Sequence, residues 1–99
     1  MLDPHQQHHL RELRGRLAWV RGLVPESPRY RLWLGDLIEF VHAVYGQASP
    51  QMAALTDALQ TFRAPADAAE PVRRQAYLER LDAIERLLAR WEAEAAGAP

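Results

Sequence analysis

Proline residues that follow a helix-capping side chain constrain this sequence more than any other feature. A side-chain oxygen at the cap accepts from free backbone amides, and proline suits the first helical position because its missing N–H would be unpaired there. Three such pairs occur, at Asp3–Pro4, Ser27–Pro28 and Ser49–Pro50. With Pro71 as a fourth start, they predict helices over residues 4–23, 28–45, 50–62 and 71–95, and a linker at 63–70.

Apolar residues in three of these segments recur in steps of three and four. This spacing places them along one side of a helix, and such a stripe is stable only when another element covers it. We therefore predict an all-α, single-domain four-helix bundle with a long C-terminal helix. The stripes are Leu10, Leu13, Leu17, Val20 and Val24; Met52, Leu55, Leu59 and Phe62; and Tyr77, Leu81, Ile84, Leu88, Trp91 and Ala95.

The remaining segment, 28–45, has a broader apolar face. Its large apolar residues fall within an arc of roughly 160° on a helical wheel, whereas Asp36, Glu39 and His42 fall on the other side. We expect this helix to be central, with the first and last helices packed along it. The arc holds Tyr30, Trp33, Leu34, Leu37, Ile38, Phe40, Val41, Val44 and Tyr45.

Composition excludes several classes of chemistry. The chain has no cysteine, and all 12 of its basic side chains (Lys+Arg) are arginine, so a disulfide framework, a thiolate metal site and a lysine Schiff base are excluded. Charged residues interrupt every apolar run before the roughly 18 residues that a membrane span needs. The start "MLDPHQQHHL" lacks the layout of a secretion signal, so we expect a cytoplasmic protein without a membrane partner.

Two residue clusters raise the question of catalysis or metal binding. Glu39 and His42 are three residues apart and could form an acid–base pair, but their place on the polar face favours solvation. His5, His8 and His9 have spacings that can bring two imidazoles to one metal, yet they lie in the first turns of a helix without a convincing third ligand. We predict no catalytic, cofactor-binding or metal site and no small-molecule substrate, hence no enzyme.

An arginine-dependent nucleic-acid-binding regulator is the alternative function. The first 31 residues hold six arginines against three acids, and Arg11, Arg14 and Arg21 can form a stripe beside the apolar seam of the first helix. No helix-turn-helix spacing or stacking platform accompanies this stripe, so a solvated face is favoured over a nucleic-acid partner.

Trp19 and the last helix are the candidates for a partner interface. Trp19 and Leu23 lie opposite the Leu10–Val24 stripe, so either the domain itself covers the first helix on two sides or this patch meets a partner. A tryptophan suits a partner interface because it contributes a large contact area with few rotatable bonds. The seam of the last helix, at Leu88 and Trp91, is long enough to extend toward a second subunit. We therefore predict a non-enzymatic protein–protein interaction or oligomerisation module that binds itself or a separately encoded protein.

Three segments resemble a helical module of bacterial proteins: "LRELRGRLAWV", "YRLWLGDLIEFVHAVYGQASPQM" and "YLERLDAIERLLARWEAE". In that module a Trp-containing helix ends in an aromatic–Gly pair followed by a Ser cap, and a Leu-rich helix closes the region. The matching positions here are Trp33, Phe40, Tyr45, Gly46 and Ser49. The module stands before TIR-like or nucleotide-binding effector domains in presumed defence systems. The resemblance implies an accessory assembly module of a bacterial defence or regulatory system, without effector chemistry of its own.

Overall fold

In the computed structural model, which describes residues 2–97, a helix begins at or next to each of the four prolines that predicted a helix start. The helices are α1 (Pro4–Gly15), α2 (Leu17–Arg21), α3 (Pro28–Val44), α4 (Pro50–Thr61) and α5 (Glu70–Ala95), and the described part of the chain contains no strand. The side chains of Asp3, Ser27 and Ser49 each accept from the amide three residues later, as a helix cap does. The predicted all-α fold with a long C-terminal helix is confirmed. Residues 1, 98 and 99, the outer limits of the predicted domain, lie outside the described residues.

The first helix is interrupted at Arg16, which the sequence pattern does not predict. The indole N–H of Trp33 donates to the Leu13 carbonyl at 3.0 Å in the buried interior. In an unbroken α-helix that carbonyl would accept from the amide of Leu17. A side chain that enters the hydrogen-bond ladder is a recognised cause of a helix break, so α1 and α2 are two segments of one arm that is interrupted at Arg16.

The helices form a ring of neighbours around the core, which corrects the prediction of a central second helix. Helix α5 contacts α1, α2 and α4, and α3 contacts α1, α2 and α4, whereas the backbones of α3 and α5 do not approach each other. The two helices lie diagonally across the bundle and meet only through side chains. Tyr30 and Trp33 are buried as expected, but Ile38 is partly exposed at 37% because only one side of α3 faces the core.

One apolar cluster fills the centre of the ring. It confirms the predicted stripes of α1 and α5, except that Val24 lies beyond the end of α2 and is exposed. None of the described helices is long and apolar enough to cross a membrane. The buried cluster consists of Leu2, Leu10, Leu13, Leu17, Val20, Tyr30, Trp33, Leu37, Phe40, Val41, Leu55, Tyr77, Leu81, Ile84, Leu88 and Trp91.

Arg80 is a charged residue within this largely apolar interior. Its guanidinium donates to the Glu26 carboxylate at 2.7 Å and to the Tyr30 hydroxyl at 2.9 Å. It also donates to the Phe62 carbonyl at the end of α4. Burial alone would lower the pKa of Arg80, but the hydrogen bonds that it donates to Glu26 and Tyr30 raise its pKa above the usual value. This cluster joins α5 to the start of α3, the end of α4 and the loop after α2, so its role is structural.

Candidate functional site: an exposed surface on α2 and α3

Trp19 and Leu32 are large apolar side chains that the fold leaves exposed. Trp19 of α2 is 49% exposed and Leu32 of α3 is 72% exposed. An isolated exposed apolar residue is common and needs no explanation, whereas neighbouring ones mark an interaction surface. Trp19 and Leu32 therefore indicate an interaction surface only if they lie close together on the molecule.

Contacts between the first helical arm and α3 show that the two run antiparallel. His9, near the start of α1, contacts the ring of Phe40 at 5.1 Å, whereas Arg16 reaches Asp36 at 4.0 Å. Trp19 lies about one turn beyond Arg16, and Leu32 lies one turn before Asp36 on the same side of α3. This register places Trp19 and Leu32 at about the same level along the two adjacent helices α2 and α3. We call Trp19 and Leu32 the apolar pair.

Charged residues border the apolar pair along α3. Arg29, Leu32 and Asp36 are all exposed, and their spacing of three and four places them on one stripe of the helix. We call these three residues the α3 stripe. The Arg16–Asp36 contact is at the outer limit of an ion pair, and both side chains are more than half exposed, so it contributes little to stability.

The other predicted interface residues are placed differently. Leu23 is partly buried against the core, while Leu88 and Trp91 are 0% and 3% exposed. Trp91 packs against the ring of Tyr45, within its own chain. Leu88 and Trp91 therefore belong to the core, and we correct their assignment to a partner interface. Their seam is covered by the chain's own helices, so it offers no surface to a second subunit.

The arginine stripe of the first helix faces carboxylates of α5. Arg14 and Glu92 form an ion pair, as do Arg21 and Asp82, and Arg11 lies 4.0 Å from Glu92. The hydrogen bond to Glu92 raises the pKa of Arg14. The three arginines line a groove of about 520 Å³ together with Glu85 and Glu92, so its walls carry opposite charges. A phosphate that bound in this groove would have to displace those carboxylates.

The residues considered for catalysis or metal binding do not converge. Glu39 and His42 are both exposed on α3, whereas the groups of an acid–base pair are activated by burial or by a neighbouring charge. His8 forms an exposed contact with Glu12 at 3.3 Å, and His9 lies edge-on to Phe40. Among residues 2–97, no group of three or more His, Cys, Asp or Glu side chains is arranged to hold a metal ion.

Sequence reasoning missed Leu32 and Arg80, each for a definable reason. Leu32 falls outside the apolar arc of α3, and an apolar residue on a polar face is the signal that could have identified it. Arg80 lies between Tyr77 and Ile84 on the buried side of α5, so its position in an apolar stripe was the available signal.

Comparisons with protein-family models, with curated protein sequences and with solved structures found no match to the chain. We therefore infer function from the placement of the residues.

Proposed function

We propose that this protein is a non-enzymatic protein–protein interaction or oligomerisation module that binds through the apolar pair. The observation that carries the proposal is the exposure of Trp19 and Leu32 at the same level of two adjacent helices. Exposed tryptophan is enriched among the residues that contribute most to binding between proteins. The resemblance seen in the sequence extends the proposal to an accessory subunit of a bacterial defence or regulatory system.

Two features of the surface support a protein partner. The apolar pair is bordered by arginine and aspartate side chains, and an apolar centre with a polar rim is the usual anatomy of a protein interface. Both side chains of the apolar pair are also open to solvent, whereas a small-molecule site encloses most of its ligand in a concave pocket.

Substitution of Trp19 tests the proposal. Trp19→Asp replaces the exposed indole with a charge without entering the core, and Val72→Asp is the matched control because Val72 is 54% exposed on α5. Light scattering over a concentration series measures self-association. Affinity capture from the source cell, followed by binding assays with purified components, measures association with another protein.

The proposal predicts that Trp19→Asp abolishes a direct association that the Val72→Asp variant retains. A wild-type chain that stays monomeric and has no direct partner sensitive to Trp19→Asp would contradict it.

A further inference from the structure

We infer that the occupant of this surface is a second copy of the same chain, with the two α3 helices paired antiparallel about Leu32. The inference rests on the proposed function and names its partner. Interfaces between identical subunits are most often two-fold, and a two-fold interface requires a surface that complements itself. The α3 stripe has this property.

Charge along the α3 stripe determines which pairing is complementary. Arg29 lies three residues before Leu32, and Asp36 lies four residues after it. An antiparallel pairing centred on Leu32 brings Arg29 of each copy to the level of Asp36 of the other, so two ion pairs form. A parallel pairing would place arginine against arginine and aspartate against aspartate, which is repulsive.

Both charges of the stripe are available for this pairing. None of the ion pairs within residues 2–97 involves Arg29. Within the same residues the one ion pair of Asp36 is the 4.0 Å contact with Arg16, and its side chain is 53% exposed. A second copy therefore gains two charge pairs and displaces at most a weak contact in each chain.

The same axis brings the apolar residues to the centre of the interface. Leu32 lies on the axis and meets Leu32 of the second copy. Because Trp19 lies at the level of Leu32, the two Trp19 side chains approach each other beside them. The result is an apolar centre with charge pairs on both sides, the arrangement in which anchoring residues are shielded from water.

Charge reversal tests the pairing directly. We expect Arg29→Asp and Asp36→Arg each to weaken the dimer about tenfold or more, because each change turns two attractions into two repulsions. The double variant R29D/D36R restores opposite charges and should return the dissociation constant to within about threefold of wild type. Arg86→Asp is the control, because Arg86 is exposed on α5, whose backbone does not contact α3.

Sedimentation equilibrium up to millimolar protein gives the dissociation constants, and far-UV circular dichroism shows that every variant is folded. A dimer that both single reversals weaken and the double variant restores supports the pairing. A wild-type monomer overturns it, and so does a dimer indifferent to both reversals. The monomer result leaves the proposed function standing if a separate protein still binds in a Trp19-dependent way, so the two failures are distinguishable.

Discussion

Replacement of Arg80 by methionine is predicted to destabilise the fold strongly while leaving its packing intact. Methionine keeps most of the aliphatic volume of the side chain but removes every donor. Arg80 is 6% exposed, and its guanidinium donates hydrogen bonds to the Tyr30 hydroxyl, the Phe62 carbonyl and the Glu26 carboxylate. The substitution therefore leaves acceptors without their donor rather than creating a cavity.

The size of the stability loss depends on how exposed each acceptor is once Arg80 no longer donates to it. Glu26 is 52% exposed at its side chain, so water replaces the lost guanidinium at small cost. The Tyr30 hydroxyl is buried and the Phe62 carbonyl is partly buried, and each costs about 1.5 kcal/mol when it is left unsatisfied. The expected loss is about 3 kcal/mol, a large part of the roughly 5–15 kcal/mol that stabilises a typical domain.

Urea unfolding followed by circular dichroism measures this loss. The control is Arg86→Met on the same helix, where the arginine is exposed and the expected change stays within about 0.5 kcal/mol. An Arg80→Met variant whose midpoint falls no further than that of the control would refute the reasoning, since the cluster would then contribute nothing beyond an exposed arginine.

Two further predictions concern residues near Arg80. Glu26 has a φ of 64°, which glycine adopts without strain. Both Glu26→Gly and Glu26→Ala lose the ion pair to Arg80, but urea unfolding should show the glycine variant to be more stable by about 1 kcal/mol. Equal stability of the two variants would contradict backbone strain at this position. Burial raises the pKa of Tyr77 to about 12 from an ordinary value of 10.0, so the folded state holds this proton more tightly than the unfolded state. The stabilisation is complete below pH 10 and declines as pH rises through 12. The melting temperature of Tyr77→Phe should therefore fall less steeply with rising pH over that range than the melting temperature of the wild type. Identical slopes would contradict this. Some slope should remain, because burial also raises the pKa of Tyr30.

Local sequence signals were sufficient to predict the helix starts and most of the core. A cap followed by proline acts within one turn, so Ser27 and Ser49 indicated helix starts without knowledge of the rest of the chain. The periodic stripes of α1 and α5 likewise identify core residues, because burial of an apolar face depends little on which element covers it.

Features that depend on distant residues could not be predicted. The interruption of the helix at Arg16 accompanies a hydrogen bond between Trp33 and Leu13, which are twenty residues apart in the sequence. The ring order of the helices and the burial of Arg80 depend in the same way on tertiary neighbours.

The sequence pointed to only part of the candidate surface, for a related reason. Trp19 was identified because it lies opposite an apolar stripe. Leu88 and Trp91 were misassigned because a seam looks the same whether the chain's own helices or a partner cover it. Leu32 could be paired with Trp19 only when the register between α2 and α3 was known.

The position of α5 in the ring also affects how the chain folds as it is synthesised. The fully buried side chains of α1, Leu10 and Leu13, are packed beneath a helix that begins at Glu70. A chain leaving the ribosome therefore presents the apolar stripe of its first helix long before the residues that cover it have emerged. Until then only α3 and its sequence neighbours can shield that stripe. This interval is when the nascent protein is most prone to aggregate or to need a chaperone.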